Sequence, residues 1–124
     1  MNIFTMNGKA GTDLTGKAGY AVVLDGSEAV VCTAATDLPI GVINTVIDMG
    51  DGVGDQLGVA LPGSIVPVKV SGSVKRLQRG YLQADGTAKA ATGGSGEVEF
   101  CQFIQAGDAD EEVMALILAP IKRA

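Results

Sequence analysis

Two stretches of this sequence repeat one another. Gly19-Tyr20 is matched by Gly80-Tyr81, Asp25-Gly26 by Asp85-Gly86, and the run Ile40 to Ile47 by Glu97 to Ile104. The acidic, glycine-rich stretch Asp48 to Asp55 is matched by Gly107 to Glu112, and Leu57 to Pro62 by Val113 to Pro120. The offset is about 60 residues throughout. Between these landmarks lie short runs rich in Val, Ile, Leu and Ala. Such runs, bounded by Gly and Asp, read as strands and tight turns. Two copies are too few for a solenoid, which needs about three or more repeats. The pattern instead predicts an all-β fold, a small β-barrel or sandwich made of two similar halves around a shared core.

A chain of 124 residues has the size of one domain. The reading divides it into an N-terminal arm, residues 1–16, and a single β domain, residues 17–124. The pseudo-repeat covers about 19–62 and 80–120. The arm, MNIFTMNGKAGTDLTG, has no strand or helix period and reads as flexible. Its apolar residues Ile3, Phe4 and Met6 are candidate anchors that order against a neighbour. In the domain, Val66, Val68 and Val70 share one face of a strand while Pro67 and Lys69 take the other. Pro67 cannot donate to a ladder, so that strand belongs at an edge or bulge. The stretch Val74 to Leu82 is the best helical candidate, and Gly80 limits it to one or two turns.

The chemistry available is sparse. Histidine is absent, which removes the commonest general base and metal ligand. Cys32 and Cys101 lie far apart among apolar residues and read as unpaired core side chains. Asp48, Asp51 and Asp55 lack the alternate spacing and closing Glu of an EF-hand loop, so they read as a solvated turn. Asp108, Asp110, Glu111 and Glu112 read the same way. Gly50 to Gly54 lacks the following helix of a dinucleotide fingerprint. Gly93-Gly94-Ser95-Gly96 lacks the Lys-Ser/Thr of a phosphate loop and reads as a mobile connection. No catalytic, cofactor or metal residue is assigned, and the expectation is that the chain is not an enzyme. A net charge of −5 opposes binding to nucleic acid. The cluster Lys75, Arg76, Arg79 reads as a solvated turn or an inter-subunit ion pair. Neither a signal peptide nor a membrane-spanning run is read in the sequence, so no membrane partner is expected and synthesis is placed in a cytoplasm.

Several strands are apolar on both faces. A strand with one wet face should alternate. The reading therefore gives these strands to contacts with other copies of the chain, with Val22, Leu24, Val59, Leu61, Met114 and Leu116 as candidate interface residues.

The order of landmarks resembles a known family. Gly41-Val42, Val59-Ala60-Leu61-Pro62-Gly63, Gly80-Tyr81, Ala84-Asp85-Gly86 and Val113 to Leu118 together resemble the capsid decoration, or cement, proteins of tailed phages, over about residues 17–119. The sequence departs from that pattern in its longer N-terminal arm and in Phe100-Cys101-Gln102-Phe103. The resemblance implies a β-barrel-like virion protein, often trimeric, that binds major capsid protein on the exterior of an assembled capsid and bridges capsomers. A tail or fibre component, or a ligand- or carbohydrate-binding β-module, is the alternative. The lack of Trp leaves few aromatic platforms for sugars.

Overall fold

The computed structural model describes residues 5–10, 17–26, 28–44 and 56–124, with 5–10, 56 and 57 described as backbone. The all-β expectation holds. No helix occurs among the described residues, and the Val74–Leu82 stretch is a turn leading into a strand. The strands are β1 (Thr5–Ala10), β2 (Ala21–Asp25), β3 (Glu28–Val31), β4 (Gly41–Ile43), β5 (Gln56–Ala60), β6 (Ile65–Lys69), β7 (Arg79–Leu82), β8 (Ala88–Ala90), β9 (Val98–Phe103) and β10 (Glu112–Lys122).

The strands form two packed layers. The first five run in the order β1-β3-β2-β4-β5 and close on themselves, because β1 pairs with both β5 and β3. The second five form a sheet in the order β6-β10-β9-β7-β8. Read from the hairpin strands, the two orders are one: β3-β2-β4-β5-β1 in the first unit and β8-β7-β9-β10-β6 in the second. Even the closure has a counterpart. The parallel contact Ala10↔Ala29 of the first unit corresponds to the parallel bridge Val70↔Ala88 of the second.

Backbone bonds fix this equivalence residue by residue. Gly19 N–H donates to Ile43 O at 2.8 Å, as Leu77 N–H donates to Phe103 O at 2.7 Å. Ile43 N–H donates to Tyr20 O, as Phe103 N–H donates to Gln78 O. Tyr20 N–H donates to Lys17 O, as Gln78 N–H donates to Lys75 O. The counterpart of Gly19-Tyr20 is therefore Leu77-Gln78, and Gly80-Tyr81 lies three residues further on, inside β7. Asp25, the last residue of β2, leads into the β2–β3 turn at Gly26, and Asp85-Gly86 lies in the β7–β8 turn. The repeating unit is also longer than 19–62 and 80–120, since β1 and β6 belong to it.

For residues 5–10 this corrects the reading of 1–16 as a flexible arm; residues 1–4 and 11–16 lie outside the described residues. Thr5–Ala10 is strand β1, in register with β5 over five pairs from Thr5↔Ala60 to Lys9↔Gln56. The sequence TMNGKA hides it because it has neither alternation nor β-branched residues beyond Thr5. Ile3 and Phe4 lie outside the described residues, and the backbone of Met6 pairs opposite Val59.

The main core draws on both units. Ala21, Cys32, Val42 and Ala60 of the first pack with Val66, Val68, Leu82, Phe100, Phe103 and Ala115 of the second. A smaller core of Val22, Ala29, Ile43 and Val59 fills the inside of the first unit. Both faces of β2, β4 and β5 are thus covered within one chain. Pro67 lies on an edge strand, as its missing donor requires. Pro120 lies where the β9–β10 register shifts, between Ile117 and Ile121. Gly86 sits where the units meet. Its φ of +87° disfavours L side chains, and a Cβ there would lie 2.5 Å from Val31 Cγ1.

Candidate interaction surface

The acidic loops hold the densest groups of carboxylates in the sequence. Asp48, Asp51, Asp55 and the Gly50–Gly54 stretch lie outside the described residues. In the second loop, Glu111 Oε1 accepts from Asp108 N–H at 2.6 Å and Ser73 Oγ lies 3.2 Å from Asp108 Oδ1, so these acids are engaged in closing the turn. Among the described residues, no three acidic or cysteine side chains converge. Cys32 and Cys101 are buried and free. Burial, with Asp37 adding to it, pushes the Cys32 thiol up to about 12, and burial pushes Cys101 higher still. Neither is a thiolate at neutral pH, so neither is poised as a nucleophile.

The glycine-rich connection at 93–96 is tied down. The Glu97 carboxylate accepts from Thr92 N–H at 3.0 Å, Thr92 Oγ1 at 2.7 Å and Gly93 N–H at 3.1 Å. Gly96 N–H donates to Arg123 O. An anion is already seated on those donors, which leaves them unavailable to a phosphate. Desolvation raises the Glu97 pKa, but the Thr92 and Gly93 bonds outweigh it and hold the carboxyl below its ordinary value. Of the basic cluster, Lys75 and Arg76 are exposed at the turn. Arg79 lies 3.8 Å from Glu99, which is 7% exposed, and Arg123 Nε donates to the same carboxylate at 2.9 Å. Arg79 therefore serves an intramolecular ion pair.

The six candidate interface residues separate into two groups. Val22 and Val59 are 0% exposed inside the first unit and have no surface to offer another copy. Leu61 packs partly buried against the same small core, and Leu24 is exposed near the end of β2. Met114 and Leu116 are different. They point away from the core on the outer face of the second sheet and are only partly covered. Leu116 stands opposite Ile65 and Gln102, and Met114 opposite Pro67. Ile104, whose N–H donates to Met114 O, extends the apolar row and is exposed. Sequence reasoning missed Ile65, Pro67 and Ile104 as members of this face. The alternation of β6 and β10 was the signal that could have found them.

No family model matches the chain, and no curated protein matches it. Among solved structures, it is similar to the N base of the head fibre gp8.5 in bacteriophage phi29, with a TM-score of 0.65 and 15% sequence identity. The match covers 99% of this chain and 98% of that one. At this identity the likeness is one of fold, and it extends over both units.

Proposed function

We propose that this protein is a structural component of a phage virion, one that binds the outer surface of the assembled capsid, bridges capsomers and carries no catalytic activity. Its partners in this reading are the major capsid protein and further copies of itself, arranged as a trimer, with no role for nucleic acid or membrane. The observation that carries the reading is the full-length likeness of fold to the base of a phage head fibre. The landmarks resembling capsid decoration proteins support it, as does an outer sheet face on which Met114, Leu116 and Ile104 keep part of their apolar surface exposed. Met114 and Leu116 are the candidate residues that retain a surface for such contacts.

A second reading is favoured by that same neighbour, which is itself part of a fibre: the chain would be the base of a projecting appendage rather than a cement. The two readings share capsid attachment and differ in whether particles lacking the protein lose stability. The test mixes purified protein with capsids that lack it, alongside a glycan panel, and then measures particle disruption on heating. Saturable capsid binding with a raised disruption temperature supports the cement. Binding with no change in particle stability supports the fibre base. Absence of capsid binding together with glycan binding overturns both.

A further inference from the structure

An Asp-Gly pair is a place where a main chain can react with its own side chain. The glycine carries no side chain to hinder the approach, so its nitrogen can reach the carboxyl carbon of the aspartate before it. The pair occurs at Asp25-Gly26, Asp51-Gly52 and Asp85-Gly86. Asp51-Gly52 lies outside the described residues. The other two lie at the hairpins β2–β3 and β7–β8, which correspond between the units, and the fold holds them in opposite ways.

At Asp85-Gly86 both reacting groups are committed. Asp85 Oδ1 accepts from Thr87 Oγ1 at 2.6 Å and from Thr87 N–H at 3.0 Å. Gly86 N–H donates to Gln83 O at 3.0 Å. Gly86 is buried against the first unit, and its carbonyl accepts from Ala21 N–H at 2.8 Å. Opening this turn would part the two units at that point. At Asp25-Gly26 none of these restraints occurs among the described residues. Asp25 and Gly26 are both exposed, and a Cβ on Gly26 would meet nothing within 4 Å. No hydrogen bond or ion pair engages the Asp25 carboxylate among the described residues. Asp25 stands opposite Glu28 at the last rung of the β2–β3 ladder. Like charges directly opposite one another weaken a rung. A terminal rung at the surface also opens more readily than the interior of a sheet. Opening it frees the main chain at Asp25 to bring the carboxyl to the Gly26 nitrogen.

We infer that Asp25 is a site of spontaneous covalent modification, the conversion of its main-chain link to isoaspartate, and that the fold protects Asp85 from the same reaction. The Gly26 nitrogen attacks Cγ of the neutral Asp25 carboxyl. The N–Cγ bond forms, the C–OH bond breaks, and the amide proton leaves with the hydroxyl as water, giving a succinimide. Water then returns. Where it breaks the bond from nitrogen to Cγ, aspartate is restored. Where it breaks the bond from nitrogen to the main-chain carbonyl carbon, the chain runs on through Cβ and Cγ and the α-carboxyl is left free. Nothing is oxidised or reduced, and the mass is unchanged. The product carries an added methylene in the main chain at the last residue of β2. The Asp25↔Glu28 rung is lost and the Leu24↔Ala29 rung beside it is displaced. Ala29 belongs to the small core, so the change loosens the first unit from its turn inward.

The test incubates the full-length protein for several weeks in mildly acidic buffer, once folded and once in denaturant. Isoaspartate is tagged by an isoaspartyl methyltransferase with a labelled methyl donor and assigned by peptide mapping, which keeps Asp51-Gly52 and Asn7-Gly8 apart from the two turns. In denaturant, the Asp25 and Asp85 peptides gain label at similar rates. In the folded protein, Asp25 gains it at least ~10-fold faster than Asp85, the gap expected between a frayed end and a packed turn. Asp25→Glu, whose longer side chain closes to an imide far more slowly, leaves its peptide unlabelled and the circular dichroism spectrum unchanged. Amide exchange in β2 and β3 speeds up several-fold as the label accumulates. Equal labelling of the two peptides in the folded protein overturns the inference, as does an unlabelled Asp25 while the denatured chain is labelled. Labelling at Asp25 without faster exchange supports the site and overturns the loosening.

Discussion

Asp85 shows how a single residue secures the turn on which the two units meet. Desolvation raises its pKa, but Thr87 opposes this with its hydroxyl at 2.6 Å and its N–H at 3.0 Å, and the net effect holds the carboxyl below its ordinary value. Glu97 is depressed for a similar reason. Because both folded values lie below the unfolded ones, their contribution to stability is fully present above the ordinary carboxylate range near ~4 and is lost as pH falls through the folded values. The unfolding temperature should therefore be flat from about pH 7 to pH 5 and drop below about pH 4. Thr87→Val should flatten part of that acid limb, as read by thermal unfolding at several pH values. One residue further in, Gly86→Ala should cost about 2–4 kcal/mol, combining a disfavoured φ with overpacking against Val31. Denaturant unfolding reads that loss as a shift in midpoint at unchanged slope. The Asp-Gly pairs were legible in the sequence because a tight turn with positive φ needs them. The Gly-Tyr pairs misled by three residues, because the structural partner of Gly19 is a leucine that no turn rule would nominate.

At the scale of elements, β1 and β10 are the strands whose reading depends most on long-range pairing. β1 is held by backbone pairing to β5 and β3, and its local sequence gives no sign of it. Deleting residues 2–10 should lower the unfolding temperature and expose the small core of Val22, Ile43 and Val59, seen as increased binding of a hydrophobic dye. An unchanged unfolding temperature would count against an integral β1. Strand β10 was legible as far as Pro120 and runs on to Lys122, past a shift in register that accommodates the proline. Its end is fastened by Arg123, through the 2.9 Å bond to Glu99 and through backbone bonds to Gly96 and Glu97. Arg123→Ala should cost about 1 kcal/mol, and Arg79→Ala less, since both side chains are half exposed but the Arg79 contact, at 3.8 Å, is too long for a hydrogen bond. Chemical denaturation of the two variants side by side gives the comparison.

For the whole molecule, the main core crosses from one unit to the other, so separation would strip the cover from Ala21, Val42 and Ala60 of the first unit and open the core of the second, leaving only the small core within the first. Heating should therefore give one transition with equal calorimetric and van't Hoff enthalpies, and two resolved transitions would show the units to be independent. That the strands are apolar on both faces was legible in the sequence. That the chain itself supplies the cover for Val22 and Val59 was not, because strand order is a property of pairing between distant segments and leaves no local period. The arrangement of β10 has a mechanical side as well. It lies between β6 and β9, antiparallel to both, and its end is clamped. A pull along its axis at Lys122 loads the rungs of both ladders together in shear, instead of opening them one after another as a zip, so tension arriving at that end is shared across the sheet.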